Sequence, residues 1–217
     1  MTYYRYEPQY KPNSEWIRKG TQWVSWDNAF TDEELETIKI ANNTNRNITK
    51  HVEVTTGDGA TRKTDKYVYP KNLESFDFVR HRFKKIIDIV NSQYFRFMLG
   101  ETMHFRSIVY SQPGDHLEWH MDNLNWVNWD QSEGEDKEYD TSTIFEPRKL
   151  TAVMQLSDPN EYSGCDVEVM TDGGIYTAEK KKGLINIWPG YMVHRVTPLI
   201  LGRRETLGVY VTGPRFK

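Results

Sequence analysis

The sequence predicts a mainly β protein with N-terminal helices, a jelly roll carrying those helices on one outer face. Three observations lead there. From Met103 onward apolar residues recur with a period of two, the repeat of a half-buried strand. The strand-like runs are short and separated by turn chemistry, at Gln112-Pro113-Gly114, Asp158-Pro159-Asn160, Asp172-Gly173-Gly174, Pro189-Gly190 and Leu201-Gly202. Ahead of them the period is helical, and helices that precede many short strands pack outside a sandwich or barrel.

Taken in order, the first twenty-odd residues are polar and aromatic and read as an arm on the domain surface. Thr31-Asp32-Glu33-Glu34 is a capping box, with Glu34 three places after Thr31, and opens a helix through about Ala41. Residues 56–63 are rich in Gly, Asp and Thr and form a hairpin turn between short strands. A second helix follows Ser75 as its cap. Phe76, Val79, Phe83, Ile86, Ile87, Val90 and Tyr94 recur at three- and four-residue steps along it, a core-facing stripe. Strands are expected at 103–111, 117–122, 150–156, 166–170, 184–188, 192–196 and 206–212. The stretch 123–149 interrupts that rhythm. It holds Trp126, Trp129 and the acidic run Glu133-Gly134-Glu135-Asp136-Lys137-Glu138, and an insertion of this size in a compact domain is a lid or a disordered loop. The two Trp residues suit either a substrate clamp or the loop's own small core. The acidic run reads as a solvated loop.

The 217 residues fit one domain: an arm and supporting helices over 1–100, a core over 101–217, and a lid insertion at 123–149. A globule of this length buries roughly 70% of its unfolded surface and needs no covalent staples. Cys165 is the single cysteine, which excludes an intramolecular disulfide and a cysteine-based zinc site and suits a reducing cytoplasm. The net charge of −3, from 28 Lys and Arg against 31 Asp and Glu, is not the basic footprint of a nucleic-acid binder. The opening Met1-Thr2-Tyr3-Tyr4-Arg5 has no apolar signal core and no window reaches the length of a membrane span, so a cytoplasmic protein without a membrane partner is expected. Nothing in the sequence sets an oligomeric state.

The chemistry concentrates in Glu118-Trp119-His120-Met121-Asp122 and Pro189-Gly190-Tyr191-Met192-Val193-His194. With six His in the chain, a lone His-x-Asp pair is an ordinary coincidence. Its company makes the difference. In an extended strand His120 and Asp122 point to the same face, and several strands intervene before His194, enough to return it alongside. Two imidazoles and one carboxylate are the ligands of a non-haem ferrous centre that keeps coordination positions open. Arg204 offers a planar fork for a distant carboxylate, and Thr206, two residues on, shares its side of the strand. After His194 the chain is expected to turn at Gly202 and return antiparallel, presenting both. Tyr110 offers a third donor from a neighbouring strand. His51, His81, His104 and His116 receive no role.

These residues resemble the prolyl-hydroxylase-like 2-oxoglutarate- and Fe(II)-dependent dioxygenases. The resemblance runs from Tyr110-Ser111-Gln112-Pro113-Gly114 to His120-Met121-Asp122. It continues through the segment Arg148 to Pro159, the turn at Tyr162-Ser163-Gly164 and Gly183-Leu184-Ile185-Asn186-Ile187-Trp188-Pro189. It closes on His194-Arg195-Val196-Thr197-Pro198 and Gly202-Arg203-Arg204-Glu205-Thr206. That is roughly residues 103 to 213, about half the chain. Three departures stand out: the Tyr110–His120 segment is one residue longer than usual, Leu117 stands where an aromatic is common, and Cys165 replaces the second glycine of a Gly-Gly turn.

The resemblance implies a double-stranded β-helix core. It implies His120, Asp122 and His194 as iron ligands, Arg204 as partner of the tail carboxylate of 2-oxoglutarate, and Tyr110 and Thr206 in the same pocket. Fe(II), 2-oxoglutarate and O2 would be required, with ascorbate as an accessory. Because Asp122 is present, the implied reaction is hydroxylation of a C–H bond rather than halogenation. The implied substrate is a prolyl residue of a protein or peptide, or a free amino acid. Two other functions compete: oxidative demethylation of nucleic-acid bases, against which the charge argues, and a non-catalytic jelly-roll module that binds a ligand without turnover.

Overall fold

A computed structural model describes residues 22–44, 50–55, 61–68, 76–122 and 147–214. The expected arm, most of the 56–63 turn, the Ser75 cap, and the lid with Trp126, Trp129 and its acidic run lie outside the described residues. In chain order the elements are β1 (Val24–Trp26), α1 (Asp32–Thr44), β2 (Lys50–Thr55), β3 (Thr61–Val68), α2 (Asp77–Val90), β4 (Met103–Tyr110), β5 (His116–His120), β6 (Arg148–Gln155), β7 (Tyr162–Gly164), β8 (Val167–Thr171), β9 (Gly174–Thr177), β10 (Ile185–Pro189), β11 (His194–Val196), β12 (Leu199–Gly202) and β13 (Arg204–Thr212).

Every strand pair is antiparallel. One sheet runs β1-β10-β6-β13-β4-β3, and a second group, β5-β11-β8-β9, joins it because β3 pairs with β4 through Asp65–Val68 and with β5 through Arg62 and Lys63. β2 pairs with β3, and β12 pairs with β7 as a separate ribbon. This is the jelly roll that the alternating pattern predicts.

Alternation decides what each face does. On the larger sheet Phe105, Leu150, Ala152, Met154, Ile185, Ile187, Leu207, Val209 and Val211 join one core with the helical residues Leu35, Ile38, Val79, Phe83, Ile86, Ile87 and Val90. The helices therefore cover one face of that sheet. Residues of the opposite parity, among them Ile108, Thr151, Val153, Trp188, Thr206 and Tyr210, line a cavity on the other face.

The predicted Thr31 capping box and the strands from Met103 onward hold with small shifts. The Glu34 N–H donates to Thr31 Oγ1 at 3.2 Å and the Thr31 N–H to Glu34 Oε2 at 2.9 Å, the reciprocal bonds of a capping box. The helix runs on to Thr44, past Ala41, since no Gly or Pro stops it. α2 passes into a wide turn at Asn91–Phe95 and closes on Arg96 in the left-handed region, φ +54°. Asn91 ties that end down: its side chain donates to Phe97 O and accepts from Phe97 N–H, both at 2.9 Å. The short strands β1, β7, β9 and β12 were not predicted, because three or four residues carry too little periodicity to register.

The sequence leaves open which strands the returning segment joins after Gly202. β12 leaves to pair with β7, and β13 enters the larger sheet between β6 and β4. Gly202 makes that exit possible, with φ +84° and an added Cβ that would stand 2.1 Å from Glu161 O. Arg204 thus reaches the cavity from the sheet opposite His194, not from its neighbouring strand.

Candidate metal centre

β5 and β11 pair with His120 directly opposite His194. The two rings therefore meet, with centroids 4.2 Å apart. Asp122 follows β5, and its N–H donates to Gly190 O at 2.9 Å, fastening the carboxylate's backbone to the turn before β11. The ligating atoms of His120, Asp122 and His194 all lie within 4.8 Å of one another, and all three residues are buried. Among the described residues no other group of three such side chains converges.

The hydrogen bonds around the trio prepare it for a cation. His120 Nδ1 lies 2.6 Å from Glu118 O and His194 Nδ1 lies 2.9 Å from Met192 O. A carbonyl oxygen only accepts, so each ring carries a proton on Nδ1 and leaves Nε2 as the atom that can bind a metal. Burial by itself would raise the Asp122 pKa. His194 at 3.4 Å, His120 at 3.9 Å, Arg148 at 3.7 Å and the Thr151 hydroxyl oppose it and hold the carboxyl well below the usual range. Two imidazole Nε2 atoms and one ionised carboxylate fit a divalent transition metal of the kind that tolerates mixed nitrogen and oxygen ligands.

Thr151 and Arg148 contact Asp122 and were not singled out from the sequence. Thr151 Oγ1 donates to Asp122 Oδ2 at 2.7 Å, which fixes the rotation of the carboxylate. Arg148 lies with its guanidinium 4.2 Å from the centre of the Tyr210 ring while reaching Asp122. The signal was present: in Leu150-Thr151-Ala152-Val153-Met154-Gln155 the apolar set Leu150, Ala152 and Met154 claims the core, so Thr151, Val153 and Gln155 must face the other way. Thr151→Val, which keeps shape and removes the hydroxyl, is expected to weaken divalent-metal binding about 10- to 100-fold with thermal stability nearly unchanged. Calorimetric titration with Mn(II) checks it.

Arg204, Tyr110 and Thr206 all line the same cavity as the trio, together with Ile108, Leu117, Val153 and Trp188. Arg204 is only 4% exposed, and among the described residues no acidic side chain pairs with it. Its Nε donates to Gln155 Oε1 at 3.1 Å, and its guanidinium carbon lies 5.2 Å from the Tyr110 ring centre. Gln155 in turn donates to the Tyr162 hydroxyl at 2.9 Å. Burial pushes the Tyr110 phenol far above its ordinary pKa, so it remains a neutral donor. Thr206 Oγ1 donates to Ile108 O at 3.3 Å, which commits its proton to the backbone and leaves its oxygen as an acceptor. Cys165 sits at φ +51°, in the left-handed geometry a glycine would take, and burial pushes its thiol up to about 12. It stays protonated and inert.

No family model matches the chain. A PKHD-type hydroxylase of Teredinibacter turnerae is 31% identical over 62 residues, 29% of this chain and 27% of that protein, so the match spans little more than a quarter of the relative. Solved structures match across nearly the whole chain. A Pseudomonas putida prolyl-4-hydroxylase aligns with TM-score 0.65 at 15% identity, over 93% of this chain and 97% of that one. The viral collagen prolyl hydroxylase of Paramecium bursaria Chlorella virus-1, solved with 2OG, aligns with TM-score 0.62 at 14% identity, over 90% and 98%. A Trichoplax adhaerens prolyl hydroxylase, solved with a hypoxia inducible factor peptide fragment, aligns with TM-score 0.67 at 9% identity, over 92% and 86%. The chain accordingly has the fold of the prolyl hydroxylases it aligns with.

Proposed function

We propose that this chain is a 2-oxoglutarate- and Fe(II)-dependent hydroxylase acting on a prolyl residue of a peptide or protein, or on a free amino acid. One observation carries the reading. A converged His-Asp-His trio and a buried arginine that no acidic residue neutralises, among the described residues, line a single cavity. An uncompensated buried guanidinium is costly, and the tail carboxylate of a dicarboxylic co-substrate removes that cost.

His120, Asp122 and His194 would hold Fe(II) from one side and leave the remaining positions to co-substrate and O2. The bound iron supplies the redox chemistry that couples decarboxylation of 2-oxoglutarate, giving succinate and carbon dioxide, to insertion of one oxygen atom into a C–H bond. The chain's own residues bind and orient. Thr151 and Arg148 fix Asp122, Arg204 takes the far carboxylate beside Tyr110, and Ile108, Leu117, Val153 and Val196 exclude water from the walls. Ascorbate would serve as an accessory reductant. The peptide carried by the Trichoplax structure and the prolyl-4-hydroxylase neighbours favour a prolyl peptide over other acceptors.

The test is succinate release with Fe(II) and 2-oxoglutarate, measured with and without a proline-containing peptide library that is then screened for a mass gain of one oxygen. Peptide-stimulated succinate with the matching mass gain is expected. Succinate without any oxygenated peptide would overturn the substrate class, and no succinate under any condition would overturn the activity.

A further inference from the structure

Resting on the reading just given, we infer that Trp188 is a binding residue for the 2-oxo acid, its indole N–H donating to a co-substrate oxygen. Trp188 is 1% exposed, and its Nε1 is a buried donor with no hydrogen-bond partner among the described residues. The neighbouring indole contrasts with it: Trp23 stacks on Trp188 at 4.6 Å and 6°, yet its own Nε1 donates to Asn186 Oδ1 at 3.0 Å. Buried donors in folded proteins are nearly always satisfied, and an orphan at a cavity wall marks a place where a bound species completes the bond.

Three placements point to an anionic oxygen ligand. Trp188 meets the His194 ring at 5.0 Å and 66°, so its indole stands beside a candidate metal ligand. Its ring also lines the chamber that holds the trio. A second, smaller chamber lies behind the first, bounded by Gln155, Cys165, Lys180 and Asn186. Trp188 and Arg204 are the two polar side chains that wall both. A carboxylate-bearing molecule seated between Arg204 and the trio has the indole along its flank. Stacking on Trp23 holds the donor rigid, so no side-chain freedom is lost when the bond forms.

The experiment is anaerobic titration of 2-oxoglutarate into the Fe(II)-loaded full chain, for wild type and Trp188→Phe, alongside metal affinity measured with Mn(II). Trp188→Phe is expected to bind Mn(II) as wild type does and 2-oxoglutarate roughly tenfold or more weakly, the effect of losing one hydrogen bond to a charged group. Where Trp188→Phe fails to fold, benzothienylalanine at position 188 keeps the indole's shape and deletes its N–H, and the same loss is expected. Unchanged 2-oxoglutarate affinity in a variant that binds Mn(II) normally would overturn this inference alone. If wild type binds the metal but no 2-oxoglutarate, the functional reading fails with it.

Discussion

Asp122→Ala is expected to give a folded protein that binds divalent metal too weakly to hold it and forms no succinate. Asp122 is the one carboxylate in the trio, and its removal leaves two imidazoles, too few for a stable site. It also leaves Arg148, 3.7 Å away, without that partner in a buried position. Breaking a buried pair can cost about 3–5 kcal/mol, but the Arg148 guanidinium keeps the Tyr210 ring at 4.2 Å, which moderates the loss. Asp122→Asn separates the two effects, because the amide retains an acceptor for the Thr151 hydroxyl and loses only the charge. Circular dichroism, Mn(II) titration and succinate formation measured together decide the case: a folded, metal-free, inactive protein is expected from both variants. Wild-type turnover in either would remove Asp122 from the ligand set.

Arg204→Ala carries the second large effect, and its signature differs. Metal affinity should remain, since Arg204 contacts none of the trio in the described bonds. Co-substrate affinity should fall by about 2–5 kcal/mol, the cost of leaving a buried carboxylate without its cation. The loss therefore appears in KM for 2-oxoglutarate far more than in kcat at saturation. Arg204→Lys should recover only part of it, because a point charge does not reproduce the fork that bonds Gln155 and a carboxylate together. Steady-state kinetics across 2-oxoglutarate concentrations check the prediction.

The alternating residues from Met103 onward made the jelly roll legible, because burial on one sheet face writes a period of two into the sequence. The helix stripe was equally clear: Phe76, Val79, Phe83, Ile86, Ile87 and Val90 are buried where the period places them, while Tyr94, past the helix end, is half-buried. The trio was legible for a local reason at His120-x-Asp122 and a topological one at His194, where antiparallel pairing sets the two rings opposite each other. That Arg204 and Thr206 share one face follows from their two-residue spacing, but the strands they join, β6 and β4, were not legible, since a two-stranded return and a crossover to the opposite sheet look alike in sequence. Thr151, Arg148 and Trp188 were not singled out. A Thr in a strand, an Arg beside a loop and a Trp in an apolar run each have an ordinary explanation, and only contact with Asp122 or a missing hydrogen bond distinguishes them.

The proposed activity requires one divalent ion held by His120, Asp122 and His194 with room left for a bidentate 2-oxo acid. X-ray absorption at the iron edge of the anaerobic Fe(II)-loaded chain, before and after 2-oxoglutarate, tests this most directly. One ion per chain is predicted, with two imidazole nitrogens and protein oxygen in its shell, and with 2-oxoglutarate adding two oxygen donors in place of solvent. A shell without two imidazoles, or one that 2-oxoglutarate leaves unaltered, would contradict it.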